Sequence, residues 1–227
     1  MWVMGVDGYP GGWVAFKVEL GSLNTCVKPA ELPSLLKTKT QDIAIVAIDI
    51  PIGLFDGPRA CDIEARRLLG QPRGTSVFPA PCRAAISECD YPSGSKTNHR
   101  LTGKYLSPMS WGIAPKIKQV DDAIGPHCQN WVFEVHPEVC FWALAGKRPM
   151  ANRKKKPEGI EERLRLLRPV FKNIETHLQK RESGVAKDDL LDAAVAAWTA
   201  LRLHRGEGLS VCTPTPDERG WETTIWY

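Results

Sequence analysis

Apolar residues in this chain fall into short runs, and two of those runs stop at an aspartate. Trp2 to Val6 is mostly apolar and ends at Asp7. The GYPGG that follows predicts a tight turn, since Gly and Pro supply its backbone angles. Trp13 to Val18 resumes the strand pattern, so the opening reads as a hairpin with Asp7 at a strand end. A third short strand is expected around Cys26 and a brief helix over Glu31 to Lys37. Ile43 to Ile48, IAIVAI, is the strongest strand: it is apolar on both faces, as a central strand covered by helices must be. It runs into Asp49, then Pro51 and Gly53.

Helical spacing takes over afterwards. Cys61 to Leu69 has it, with Asp62 and Glu64 in the first turn. Gly70 to Pro108 is rich in Pro, Gly, Ser and Thr, with short helical stretches. This predicts a cap or insertion over about 70–130. Trp111 to Ala123 reads as helical in parts, with Pro115 in a first turn or at a kink. Trp131 to Val135 is a final apolar strand carrying Glu134 and leading to His136 and Pro137. Helices are expected over Pro137 to Leu144, Glu158 to Leu167 and Lys187 to Leu203. Strands and helices in this order predict an α/β fold, a mixed sheet flanked by helices, in a single domain over 1–227.

Composition changes the picture little. With 43% apolar and 25% charged residues among 227, the chain is an ordinary globule with enough length to bury a core. A net charge of +4 is small against 30 basic and 26 acidic side chains, so it does not by itself imply nucleic acid. The local run Lys147, Arg148, Arg153, Lys154, Lys155 and Lys156 creates a positive potential or simply a solvated loop. Seven cysteines without a CxxC pair exclude a zinc ribbon and a thioredoxin motif, and they suit reduced thiols. No leader and no long apolar run is seen, so the expectation is a cytoplasmic protein with no membrane partner.

Candidate chemistry lies in the acids. Asp7 and Asp49 follow apolar strands, at the carboxyl edge where open α/β sheets bind ligands; Asp is also common at strand ends as a turn residue. In KDDLLDAAVAAW, Asp189 and Asp192 are three apart and share a helical face. From Leu190 to Leu201 this helix is apolar nearly all round, as for a buried element. Asp188 and Asp189 suit an N-terminal cap, but Asp192 lies a turn inside. A carboxylate there costs several kcal/mol, in order of magnitude, unless an arginine or a cation compensates it. If these acids converge, a divalent ion would relieve their repulsion, and all-oxygen ligation suits Mg²⁺ or Mn²⁺.

The motifs GVDGYPGGW, AIDIPIGL, FEVHPEVCFW and KDDLLDAAVAAW, in this order, resemble a family of uncharacterised function, the predicted RNase H-like nucleases. SWGIAPKI and RKKKPEGIEERLRLL extend the similarity over nearly the whole chain. The resemblance implies an RNase H-like sheet. In that superfamily, which includes junction resolvases, a first-strand Asp, a fourth-strand acid and acids on a late helix hold two metals. It maps Asp7 and Asp49 to the first two roles, and Asp189 and Asp192, followed by Ala193, to the helix pattern DxxDA. Glu134 is the family's additional acid, joining the metal site or orienting a ligand. The implied reaction is metal-dependent phosphodiester hydrolysis of nucleic acid, with Asp7, Asp49, Glu134, Asp189 and Asp192 as its catalytic set.

Other residues complete the expectation. Arg83, beside two prolines that stiffen the loop in TSVFPAPCRAA, could grip a phosphate, as could Arg73. Ser110, Lys116 and Lys118 flank the turn of SWGIAPKI. Lys154, Lys156 and Arg163 could steer a polyanion. His136 is either a proton relay or a turn histidine satisfied by backbone. Two other functions stay open. One is an actin-like nucleotide-binding phosphotransferase with Gly8, Gly11 and Gly12 against phosphates; the other is a non-catalytic binding module whose acids are structural. The Gly70 to Pro108 segment could be a lid or a dimer contact, so a homodimer is also open.

Overall fold

The computed structural model describes residues 1–227, with the side chain of Pro126 excepted. Its first elements are β1 (Trp2–Tyr9), β2 (Gly12–Glu19), β3 (Thr25–Pro29), α1 (Leu32–Lys37) and β4 (Ile43–Ile48). Next come α2 (Ala60–Leu69), α3 (Arg83–Ile86), α4 (Tyr91–Thr102), α5 (Pro108–Ala123) and β5 (Val132–Glu134). The chain then forms α6 (Pro137–Leu144), α7 (Pro157–Leu167), α8 (Ile174–Gln179) and α9 (Lys187–His204). Two short strands, β6 (Thr215–Pro216) and β7 (Glu222–Thr223), form a separate ladder.

The main sheet has five strands in the order β3-β2-β1-β4-β5. β1 and β2 form the expected antiparallel hairpin, closed where Tyr9 pairs with Gly12. β1 pairs with β4, and β4 with β5, in parallel. The carboxyl ends of these three strands therefore lie on one edge, and Asp49 continues the ladder by donating its N–H to the Val6 carbonyl.

Alternation along the strands splits the core in two, because successive side chains point to opposite faces. Val3, Val14, Phe16, Val18, Ile45 and Ala47 face α9 and its neighbours. Met4, Val6, Trp13, Ala15, Val46 and Ile48 face Leu32 and Leu36 of α1 and Ile117 and Val120 of α5. The sheet is thus covered on both sides, which is why β4 carries no polar face. α5 is a covering layer of this sandwich.

Gly5 sets how closely α9 lies on β1. A Cβ there would sit 2.1 Å from the Ala193 carbonyl oxygen and 2.1 Å from the Ala197 nitrogen. Only glycine lets the helix backbone touch the strand, and Asp192 is the residue next to that contact.

Two expectations are refined. Of the two places expected for Pro115, a first turn or a kink, the first is ruled out: the proline lies in the interior of α5, which begins at Pro108 with Ser107 accepting from the Ser110 N–H. Its ring removes one intrahelical donor, which the sheet-facing apolar residues around it outweigh. The segment after Gly70 also holds a full helix, α4, whose buried residues are Gly94, Ser95 and Asn98. Such small and polar contacts leave no apolar periodicity to read.

Candidate metal centre

Three chain segments bring carboxylates to the sheet edge. Asp7 lies near the end of β1, Asp49 immediately after β4, and Asp192 in the second turn of α9. One oxygen from each lies within 4.8 Å of the other two. Asp7 and Asp192 are buried and Asp49 is half-buried.

Burial acts in the same direction on all three. Burial raises the Asp7 carboxyl well above its ordinary range, and the charges of Asp49 and Asp192 add to it. Asp49 is pushed up to about 8, by burial first and then by Asp192. Asp192 is raised by burial, although Lys154 opposes the shift. A positive charge among the three opposes these shifts.

One such charge is present. The Lys154 ammonium is ion-paired with Asp192 Oδ2, and the pairing raises the lysine's own pKa. With all groups ionised the four sum to minus two. Asp192 is 1% exposed, yet its other oxygen, Oδ1, has no hydrogen-bond partner. A hard divalent cation fits this donor set: oxygen-only ligands, surplus negative charge and a buried acceptor without a donor.

Several expected site residues lie elsewhere. Asp189 is half-buried at the start of α9, where its carboxylate accepts the Ala186 N–H at 3.1 Å; it caps the helix and stays outside the group of three. Glu134 is buried and lies close enough to raise the Asp49 pKa, but both of its oxygens accept from Arg59 at 2.6 Å and Oε2 also accepts from the Ile52 N–H. Lys116 donates to the Gly12 carbonyl at 2.6 Å and lies over the Trp13 ring, with its stem filling the space beside Gly8. That stem and the Tyr9 ring beside Gly11 occupy the hairpin glycines' surroundings. Burial lowers the His136 pKa, and its Nε2 lies 3.4 Å from the Ser76 carbonyl oxygen.

Three of the expected phosphate ligands are already engaged within the protein. Arg83 binds Asp121, Asp217 and Glu218, fastening the C-terminal segment to α5. Ser110 is buried in the first turn of α5, its hydroxyl 2.9 Å from that of Ser107. Arg163 is 0% exposed, paired with Glu138 and donating to the Asn152 and Gly159 carbonyls. Lys156 is exposed at the N-cap of α7, on the same loop as Lys154.

Arg59 is the site residue that pattern reading passes over. Cys61, Asp62 and Glu134 form a second cluster with metal-like spacing, and Arg59 lies inside it. An arginine before a helix gives no periodic or motif signal. Only the burial of Asp62 and Glu134 creates the need for it.

Fold and site together define an α/β protein with a mixed five-stranded sheet flanked by helices and a carboxylate cluster on the sheet's carboxyl edge. The chain belongs to the family described as "Protein of unknown function (DUF429)", whose model matches residues 5–219. No curated protein and no solved structure matches it. Among the described residues no helix is long and apolar enough to cross a membrane.

Proposed function

We propose that this chain is a divalent-metal-dependent phosphodiesterase acting on nucleic acid, built on an RNase H-like sheet. The observation that carries the reading is the meeting of Asp7, Asp49 and Asp192, from two strand ends and the last long helix, with one ammonium among three carboxylates. The strand order, in which only β2 runs against its neighbours in the row β2-β1-β4-β5, and the sequence motifs favour the same fold.

In this reading Asp7, Asp49 and Asp192 hold Mg²⁺ or Mn²⁺. Such an ion, when bound, lowers the pKa of water and stabilises charge on a phosphoryl group. The chain's own contribution is positioning. Gly5 seats α9 on β1, so the Asp192 carboxylate is fixed relative to Asp7 by backbone contact. The Gly8 N–H donates to Asp7 Oδ1 at 2.7 Å and orients it. Lys154 offers an ammonium that draws a phosphate towards an otherwise negative centre. The exposed Lys155 and Lys156 extend that attraction along the loop.

The test is incubation with labelled single-stranded, duplex and branched DNA and RNA in the presence of Mn²⁺. Cleavage that needs the metal and vanishes in Asp7→Asn is the expected result. Absence of metal-dependent cleavage on every substrate, with a folded protein, overturns the reading.

A second reading draws on the Lys154–Asp192 pair itself: a closed structural centre in a binding module. It expects no effect of Mn²⁺ on thermal stability, whereas an ion bound to the folded state raises the melting midpoint.

A further inference from the structure

We infer that the Lys154 ammonium is a built-in cation of the centre, so the site takes one divalent ion per chain. This rests on the metal-dependent reading above and sets the composition of its site.

The loop between α6 and α7 is constructed to deliver this lysine. The Glu162 carboxylate accepts the N–H groups of Ala151 and Asn152 at 2.7 and 2.8 Å. From beneath, the fully buried Arg163 donates to the Asn152 carbonyl at 3.2 Å and the Gly159 carbonyl at 2.9 Å. Gly159 lets the loop close on α7, since a Cβ there would lie 2.0 Å from the Arg153 carbonyl oxygen. Two anchoring side chains and one glycine thus hold the loop on either side of Lys154. An exposed lysine that met Asp192 by chance would need none of them.

Charge counting then limits the site. Asp7, Asp49 and Asp192 carry minus three, and Lys154 returns one. Of the nearby acids, Glu138 is paired with Arg163 and Glu134 with Arg59, while Asp188 and Asp189 lie at the start of α9, outside the group of three. The minus two of the group itself matches one divalent cation. A second would have to break the Lys154–Asp192 ion pair and enter a centre already neutral, which the loop's anchoring opposes. Asp192 shows the division of labour: Oδ2 is taken by the ammonium, while the buried Oδ1 has no donor and is left for the metal.

Mn²⁺ binding to the full chain, followed by calorimetry and electron paramagnetic resonance, tests this. The wild type is expected to bind one Mn²⁺ with the spectrum of an isolated ion. Lys154→Gln is expected to bind its first ion about tenfold or more tightly, because a like charge beside the metal is gone. Lys154→Arg keeps the positive charge and should keep the wild-type stoichiometry. Two ions in the wild type, with the exchange-coupled spectrum of adjacent metals, overturn the inference while leaving the metal-dependent reading intact. A Lys154→Gln affinity equal to wild type also overturns it. No Mn²⁺ binding by the wild type brings down both. Should Lys154→Gln fail to fold, the wild-type spectrum alone decides.

Discussion

Two groups of acids in this protein have metal-like spacing, and they differ in what fills them. Cys61, Asp62 and Glu134 enclose the Arg59 guanidinium. Every carboxylate oxygen there is used: Glu134 takes Arg59 and the Ile52 N–H, while Asp62 takes the Cys61 thiol and the Ala80 N–H. Burial pushes the thiol above its ordinary range, so Cys61 stays neutral. Asp7, Asp49 and Asp192 have one ammonium beside them, paired with Asp192, and leave an Asp192 oxygen without a donor. Spacing qualifies both groups as metal sites. Charge balance and hydrogen-bond supply qualify only the second.

The sharpest way to break this comparison is to exchange the consequences of losing a partner. Arg59→Met leaves Glu134 and Asp62 buried without their cation and is expected to destabilise the fold by about 3–5 kcal/mol in denaturant titration. Asp192→Asn should not destabilise comparably, because it relieves repulsion at an overfilled centre. It should instead abolish Mn²⁺ binding and any metal-dependent cleavage. A large stability loss in Asp192→Asn with metal binding intact would reverse the assignments of the two groups.

Mn²⁺ sharpens the contrast next. At about one hundred times its dissociation constant, an ion bound only by the folded chain adds about 2.7 kcal/mol. That gain should appear in the wild type and in Glu134→Gln, and be missing in Asp7→Asn and Asp192→Asn. Melting curves with and without metal read it directly.

What the sequence discloses follows from the kind of signal each residue leaves. β1, β4 and α9 announce themselves by apolar pattern, and their acids stand out because a carboxylate interrupts that pattern. The convergence of Asp7, Asp49 and Asp192 was therefore open to inference. Arg83, Ser110 and Arg163 read in the sequence as candidate substrate contacts. The structure gives them internal partners: Asp121 and Asp217, the Ser107 hydroxyl, and Glu138. Partner identity is a property of tertiary packing, and no local spacing encodes it. α4 and the Arg59 cluster share this cause, since the first packs through Gly94, Ser95 and Asn98, and the second is assembled from β5 and the start of α2.

Proton uptake offers a smaller effect with a definite sign. The Asp49 pKa in the folded chain is about 8, above its unfolded value, so between those limits the folded state binds more proton. The group's contribution to metal-free stability is full below the unfolded value and is lost as pH rises through about 8. Glu134, pushed up to about 7 by burial against the pull of Arg59, has the same sign. Asp49→Asn should flatten the decline in denaturation midpoint between pH 5 and 8, and Mn²⁺ should flatten it in the wild type. Glu134→Gln should remove its own part of the slope but none of the metal's effect.

The smallest expected change separates a helix cap from a metal ligand. Asp189 lies one turn before Asp192, and its proximity adds to the charge felt by Asp7. Its carboxylate, however, serves the Ala186 N–H, the half of a capping box that remains when the N-cap residue has no hydroxyl. Asp189→Ala should therefore cost about 1 kcal/mol of stability, the usual value of a lost cap. Mn²⁺ affinity should fall only by the loss of a nearby negative charge, within about tenfold, with stoichiometry unchanged. A loss of binding as complete as that of Asp192→Asn would make Asp189 a ligand and move the metal towards the end of α9, away from the contact that Gly5 permits.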